Sequence, residues 1–318
     1  MSAALHGELV DMDEQVGKVQ RALVDFDAGA RTNVAILGEP LAGKTSLLDA
    51  VIARYGKQVQ KVSLAEVICD ADHLPSLAGP EKIIAVDNCQ YLFLRRIGGF
   101  GALERFLDVL ASSDRLFLTV WNTFAWNYLK QIFTLQDYFP VIVPMPALGE
   151  GEIAAVIGAR YELDKVRFVD HRDDDRVLAT IKRGAEAPGS LLAGGENGLR
   201  RLAFEKIAGL AHGNPGVALA LWQKAYHDGE VTVSDIAVPD YEADLSPDEA
   251  FVVSNILMMR SITSDDLQKV TFGYLRLDRI LYTLLSRGLI RKAADRYSVE
   301  PLALHAVTKS LKGSRQVW

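Results

Sequence analysis

Cysteine is scarce in this chain: its 318 residues contain two, Cys69 and Cys89, outside any Cys-x-x-Cys pair. That excludes a disulfide framework and a cysteine-based zinc site, and the setting expected is the reducing cytoplasm. The six histidines (His6, His73, His171, His212, His227 and His305) are scattered without zinc spacing, so no structural metal is expected. Long apolar runs are missing too. Nowhere do 18 apolar residues follow one another, and the first 30 residues carry acids rather than a basic segment leading into an apolar one. Neither a membrane-spanning chain nor a secreted precursor is expected. A strong charge of one sign is also lacking: 35 Lys+Arg stand against 41 Asp+Glu, for a net charge of -6. A wholly basic nucleic-acid coat is therefore excluded, and any DNA contact must be local. There is no internal repeat and no low-complexity tract.

With 49% apolar residues, the chain is too hydrophobic to be disordered. Its length suggests about two domains by size alone, and the pattern along it resolves three parts. In residues 1–146, apolar strand runs alternate with helical periodicity. An opening helix carries Val16, Val19, Leu23 and Phe26 behind a capping-box-like Asp11 and Glu14. Strand runs cover 32–37, 59–64, 83–86, 116–120 and 141–143, with helices near 45–52, 103–110 and 126–133. That alternation predicts an α/β fold with a covered parallel sheet. After Pro144-Met145-Pro146 the strand pattern stops, and residues 147–240 read as an all-α lid with helices near 152–160, 199–210 and 216–226. The glycine-rich stretch 184–198 reads as a mobile loop. From 241 to 318, Ser246-Pro247-Asp248-Glu249 is a capping box with proline at the first helical position. Two further helices follow, the third running from about Tyr274 to Arg287 and stopping at Gly288. A hairpin, Leu289–Lys292 with Arg296–Val299, completes a winged-helix domain.

The sharpest motif is Gly38-Glu39-Pro40-Leu41-Ala42-Gly43-Lys44-Thr45, followed by Ser46. It matches G-x-x-x-x-G-K-[ST] between a strand and a helix, the context that a phosphate-binding loop requires. Its glycines allow backbone N–H groups to wrap a phosphate, and the helix start adds its positive dipole end. Lys44 reaches the terminal phosphates, and Thr45 takes a Mg²⁺ position. Ile83-Ile84-Ala85-Val86-Asp87 is a hydrophobic strand ending in a carboxylate, which makes Asp87 the second Mg²⁺ residue. Asn88 stands where a water-activating Glu is expected. An amide orients water but accepts no proton at neutral pH, so hydrolysis is expected to be slow. Glu39 reads either as a substitute base or as a solvated loop acid. Asn122, at the end of the strand at 116–120, reads either as a residue that senses the terminal phosphate or as a plain strand-terminating turn.

On these residues, together with Gly213-Asn214-Pro215, the chain resembles the AAA+ and STAND group of P-loop ATPases, archaeal-type members with a helical lid and a C-terminal winged helix. The resemblance runs from about residue 8 to 312. It implies ATP/ADP and Mg²⁺ as ligands, a five-stranded parallel sheet in the order 5-1-4-3-2, Asn122 at the first sensor position, and Pro215 as a nucleotide contact. Leu304-His305-Ala306 is similar to a degenerate Met-His-Asp motif. No Arg lies between Asn122 and Pro146, where ring motors carry an arginine finger, and none follows Gly213 through Trp222. A ring motor is therefore disfavoured. Arg95-Arg96 reads either as a finger toward a neighbouring subunit or as a solvated pair.

In the third helix of the last domain, Arg276, Arg279 and Arg287 share an arc of about 80°. Residues 246–318 hold 11 Lys+Arg and 7 Asp+Glu, so Arg276, Arg279, Arg291, Lys292 and Arg296 are the DNA-contact candidates. The aromatic run from Trp121 to Tyr128 reads as base-stacking or, by its spacing, as core. The leading reading is an ATP-binding switch with slow hydrolysis, whose winged helix engages a protein partner or a second copy. The alternative is a DNA-binding, ATP-dependent initiator or transposition-type regulator. A small-molecule phosphotransferase is a third reading, but no acceptor pocket or Arg-rich closing lid is visible.

Overall fold

Runs that are apolar on both faces build the central sheet. Strands β1 (Val34–Gly38), β2 (Val59–Ser63), β3 (Ile83–Asp87), β4 (Leu116–Asn122) and β5 (Val141–Pro144) pair in the order β2-β3-β4-β1-β5, all parallel. This is the expected 5-1-4-3-2 order, with β4 between β1 and β3. Every residue of β3 and β4 is buried, as in strands that helices cover on both faces. The edge strand β2 alternates toward solvent and carries Gln60 and Lys61. The computed structural model describes residues 12–170 and 195–317.

The covering helices are α1 (Asp13–Asp27), α2 (Lys44–Tyr55), α3 (Gly101–Ser112), α4 (Thr123–Leu129) and the single turn α5 (Leu135–Tyr138). Helix α1 buries Val16, Val19, Ala22 and Leu23 and packs on β5 and α2. The expected capping box is not built: the N-cap is Met12, without a side-chain cap, and Asp11 lies outside the described residues. Helix α4 starts at Thr123 rather than Trp126, because Asn122 caps it. Trp121, Trp126 and Phe139 meet edge to face with centroids 5.5 to 6.0 Å apart. All three are buried, so the aromatic run is core and not a stacking platform.

Residues 147–240 form a compact unit of their own, while the sheet region and the chain from Tyr241 onward together form another. The first unit holds α6 (Glu150–Gly158), α7 (Gly195–Ala211) and α8 (Pro215–Ala225). It also contains a three-stranded sheet, β6 (Arg167–Val169), β7 (Tyr226–His227) and β8 (Glu230–Thr232), in the order β6-β8-β7. The all-α reading of this unit is thereby corrected. Strands of two or three residues are too short to show an alternation in sequence. The stacked pair Phe204 and Trp222 and the tilted Phe168 fill its core. Of the glycine-rich stretch, residues 195–198 open α7 instead of forming a loop; the remainder lies outside the described residues.

The C-terminal block runs α9 (Pro247–Met259), β9 (Ile262–Thr263), α10 (Ser264–Thr271), α11 (Leu277–Ser286), β10 (Ile290–Ala293), β11 (Arg296–Val299) and α12 (Leu304–Gly313). The helix, strand, helix, helix, hairpin order is that of a winged helix, with strand order β10-β11-β9. The capping box is present: Ser246 Oγ accepts the Glu249 N–H while Glu249 accepts that of Ser246. Helix α11 ends at Gly288 (φ 66°), where Leu289 N–H returns to the Leu284 carbonyl at 3.0 Å, a glycine stop that needs the left-handed backbone. Helix α9 is apolar nearly all round and buries Ala250 and Val252 through Met259, so it must be enclosed. It packs against α4 and the turn after β3, which brings its C-terminus to the carboxyl ends of β3 and β4.

Candidate functional site

The loop between β1 and α2 has the backbone that its glycines predict. Gly43 (φ 85°) caps α2 in the left-handed region, and Leu41 (φ 68°) also lies there. Left-handed residues interleaved with right-handed ones turn successive N–H groups into an anion-binding concavity. A Cβ at Gly38 would meet Met145 Cγ at 2.8 Å and Lys44 Cγ at 3.1 Å, so only glycine fits where the lysine stem passes.

Lys44 Nζ donates to the carbonyls of Gly38 (2.8 Å) and Glu39 (2.6 Å). Burial first, and the Arg260 guanidinium second, pull its pKa down to about 7, while Asp87 and Glu39 oppose the shift. Thr45 Oγ1 donates to Asp87 Oδ2 at 2.9 Å, and the buried Asp87 accepts the Asn88 N–H through Oδ1 at 2.8 Å. One hydroxyl and one carboxylate at hydrogen-bond distance are a hard oxygen pair that suits Mg²⁺ when phosphate oxygens complete the shell. Among the described residues no cluster of three His, Cys, Asp or Glu could hold a metal unaided.

Asn88 takes the left-handed conformation (φ 61°), which asparagine tolerates better than glutamate does. Its Nδ2 donates to the Leu64 carbonyl at 3.2 Å, and its Oδ1 accepts from Gln90 Nε2 (3.3 Å) and Arg260 Nη1 (3.2 Å). Asn122 is used differently from the sensor expectation. Its Oδ1 caps α4 by accepting the Phe124 N–H at 3.0 Å, and its Nδ2 donates to the Leu257 carbonyl at 2.7 Å. With 1% exposure, it joins β4 to the last turn of α9. Tyr91, one turn beyond Asn88, bonds Ser261 Oγ at 2.8 Å. The strand ends that flank the phosphate loop are thus tied to residues 257–261.

The other expected residues divide. Gly38 to Lys44 line the loop, Ser46 faces solvent, and Glu39 is half-buried. Pro215 sits in the other unit at the first turn of α8, where Asn214 Oδ1 caps Gly216 and Val217. A Cβ on Gly213 would meet Ala147 Cβ at 2.7 Å. Helix capping and close packing therefore account for Gly213-Asn214-Pro215 locally. Arg95 lies between the rings of Tyr128 (5.0 Å) and Phe251 (5.1 Å), neither a solvated cation nor an outward finger. Arg287 is anchored to the carbonyls of Glu242 and Asp244 and faces Glu249 at 3.5 Å. His305 is exposed, whereas its neighbour Leu304 is buried.

The five DNA-contact candidates separate in the same way. Arg276 and Arg279 are exposed, and Lys292 lies over the Tyr297 ring at 5.3 Å. Arg296 instead bonds Ser261 at 3.0 Å and lies over the Tyr91 ring at 5.4 Å. Arg291 and Arg296 line a cavity of about 410 Å³ shared with Pro40, Leu41 and Asn88. Sequence reading missed Arg260, Tyr91 and Ser261. The one available signal was Met259-Arg260-Ser261, where a helix ends without the glycine that its stop calls for.

A parallel 5-1-4-3-2 sheet, a phosphate loop after strand β1 and a Thr–Asp pair beside that loop define a P-loop nucleotide-binding fold. No protein-family model matches the chain, and no curated protein matches it. Among solved structures, it is similar to a Thermotoga maritima RuvB mutant at 15% identity and TM-score 0.46, covering 94% of this chain and 95% of that one. A Walker-type ATPase of Pyrococcus abyssi is similar at 13% identity and TM-score 0.46, covering 95% and 96%. Cdc6p of Pyrobaculum aerophilum is similar at 13% and 0.43, covering 99% and 97%. At these values the class stands on the chain's own sheet order and loop.

Proposed function

We propose that the chain is a Mg²⁺-dependent, ATP-binding switch in which nucleotide state sets the position of the winged-helix block, and through it the engagement of a protein partner or a second copy. The observation that carries this reading is the pair of bonds from Asn88 and Asn122 to the end of α9, beside Lys44, Thr45 and Asp87. A charge change at the phosphate loop is then felt by the C-terminal block through direct contacts. Thr45 and Asp87 would hold Mg²⁺, whose charge offsets that of the phosphate oxygens. Lys44 supplies the cation for the terminal phosphates. Turnover is slow in this reading, because Asn88 cannot take a proton from water and its carbonyl oxygen already accepts two hydrogen bonds.

The DNA-regulator reading loses one of its five candidates, because Arg296 is turned onto Tyr91 and Ser261, while Arg276, Arg279, Arg291 and Lys292 are exposed. Among the described residues no helix is long and apolar enough to cross a membrane. Calorimetric titration with Mg²⁺-ATP and Mg²⁺-ADP, together with mass in each nucleotide state, tests the switch. Binding without any difference in shape or mass between the two states would refute it. Duplex-DNA binding tighter than about micromolar at physiological salt, with a steep salt slope, would move the DNA reading ahead.

A further inference from the structure

The cavity over the phosphate loop is charged in one direction. Its walls include Pro40, Leu41 and Asn88 on one side and Arg260, Arg291 and Arg296 on the other, with no carboxylate among the described lining residues. Arg296 is turned onto Ser261 and the Tyr91 ring and Arg291 donates to Ser298 Oγ at 3.3 Å, while Arg260 lies toward Asn88; a guanidinium is always charged and presents a planar fork of donors that suits an anion. Arg260 reaches the end of β3, bonded through Nη1 to Asn88 Oδ1 at 3.2 Å.

Arg260 also sits on an unfavourable backbone. At φ 63°, ψ -49° it ends α9 at a positive φ outside the left-handed helical well, a backbone that a non-glycine residue rarely adopts. A long cation held there, at a cost in backbone strain, points to a role for the side chain. The two neighbouring ties, Asn122 to Leu257 and Tyr91 to Ser261, fix the turn that carries it.

We propose that Arg260 is a phosphate-contacting residue supplied by the same chain: on nucleotide binding its guanidinium leaves Asn88 for the terminal phosphate of a nucleoside triphosphate on the phosphate loop, with Arg291 and Arg296 lining the same anion site. This rests on the nucleotide-switch reading and adds to it a residue that distinguishes triphosphate from diphosphate.

The test measures Mg²⁺-ATP and Mg²⁺-ADP affinities by calorimetry for wild type, Arg260→Ala, Arg260→Gly and Lys44→Ala. Both Arg260 variants should lose about tenfold or more in ATP affinity, the size of a lost charge-assisted hydrogen bond, with ADP affinity unchanged. Arg260→Gly relieves the backbone and should melt no lower than wild type without nucleotide, so loss of ATP preference in a stable protein isolates the side chain's role. If ATP and ADP weaken equally in both variants, or neither changes, Arg260 does not read the terminal phosphate. If wild type binds neither nucleotide, the switch reading itself fails and takes this proposal with it. Inorganic phosphate alone is the remaining arm. Phosphate bound equally by wild type and Lys44→Ala but lost in Arg260→Gly would mark an independent anion site and overturn the assignment.

Discussion

The carboxyl ends of β3 and β4 look alike in sequence and act differently in the fold. Each is a buried hydrophobic strand that closes on a polar residue beside the phosphate loop. At β3, Asp87 turns its carboxylate to Thr45, and Asn88 takes a left-handed turn that leaves its carbonyl oxygen toward Arg260. At β4, Asn122 spends both ends of its amide inside the protein, on the start of α4 and on the Leu257 carbonyl. The difference follows from what comes next. A helix starting directly at Thr123 has unbonded N–H groups that claim the nearest side-chain oxygen, whereas β3 runs into a short 3₁₀ turn that does not use the Asp87 carboxylate as its cap. A polar strand end beside a phosphate loop is therefore a ligand group only if no helix start captures it.

The sharpest way to break that comparison is Asn122→Ala. It removes a helix cap and the shorter of two hydrogen bonds to the buried Leu257 carbonyl, which keeps the Arg260 N–H, so it should cost about 3 kcal/mol of stability. ADP affinity of the folded fraction should change little. Denaturant unfolding measures the first and calorimetry the second, and a variant of normal stability with lost nucleotide binding would restore Asn122 as a phosphate sensor.

Lys44→Ala comes next. Wild type should gain about 2.7 kcal/mol of stability at roughly 100 times the dissociation constant of Mg²⁺-ATP, and the variant should gain almost nothing. Without nucleotide the variant should be at least as stable as wild type, since an ammonium held near pKa 7 by burial is an unfavourable group in the folded state. Melting curves with and without ligand decide both halves.

The same depressed pKa sets a pH dependence. Lys44 without ligand has a pKa of about 7, and a phosphate placed on it raises that value. Above pH 7 binding must therefore take up a proton, and affinity should weaken by up to about tenfold per pH unit. Below pH 7 Lys44 is already charged, and its contribution flattens. Titrating ADP in EDTA at pH 6 and pH 8, in buffers of different ionisation enthalpy, measures proton uptake directly. Equal uptake at the two pH values would place the lysine elsewhere on the scale.

The smallest effect concerns β3 itself. From sequence alone, Asn88→Glu should supply the missing base and raise turnover about tenfold. The structure lowers that expectation, because a glutamate there takes on a left-handed backbone and faces Arg260, which would pair with it. Phosphate release from Asn88→Glu should rise by well under tenfold, and Arg260→Ala in the same background should rise further. A large gain in the single variant would mean that Arg260 leaves position 88 when nucleotide is bound.

Much of the site was legible because its signals are local. The phosphate loop, the strand ending in Asp87, the Ser246–Glu249 capping box and the Gly288 stop each depend on residues within a few positions of one another. The small sheet of residues 167–169, 226–227 and 230–232 was not legible, because its strands are too short to show a pattern and one of its two pairings joins segments about 60 residues apart. Arg260 was hidden for a related reason. A single arginine at a helix end says nothing until the fold brings it 172 positions back along the chain to Asn88.

Whereas the order of the strands was implied by the resemblance to P-loop ATPases, the sequence by itself determined the parallel sheet, the loop that can wrap a phosphate, the hydroxyl and carboxylate beside it, and the winged-helix order of the last domain. Those rest on hydrophobic periodicity and on short-range backbone rules, which act wherever the residues stand. Only the tertiary structure decided which polar groups are spent internally and which face the loop. Asn122, Arg95, Arg287 and Arg296 are consumed by caps, rings and carbonyls, while Arg260 is directed at the site. Such assignments are competitions between partners distant in sequence, settled by the burial of α9 against the ends of β3 and β4. No local pattern records the outcome.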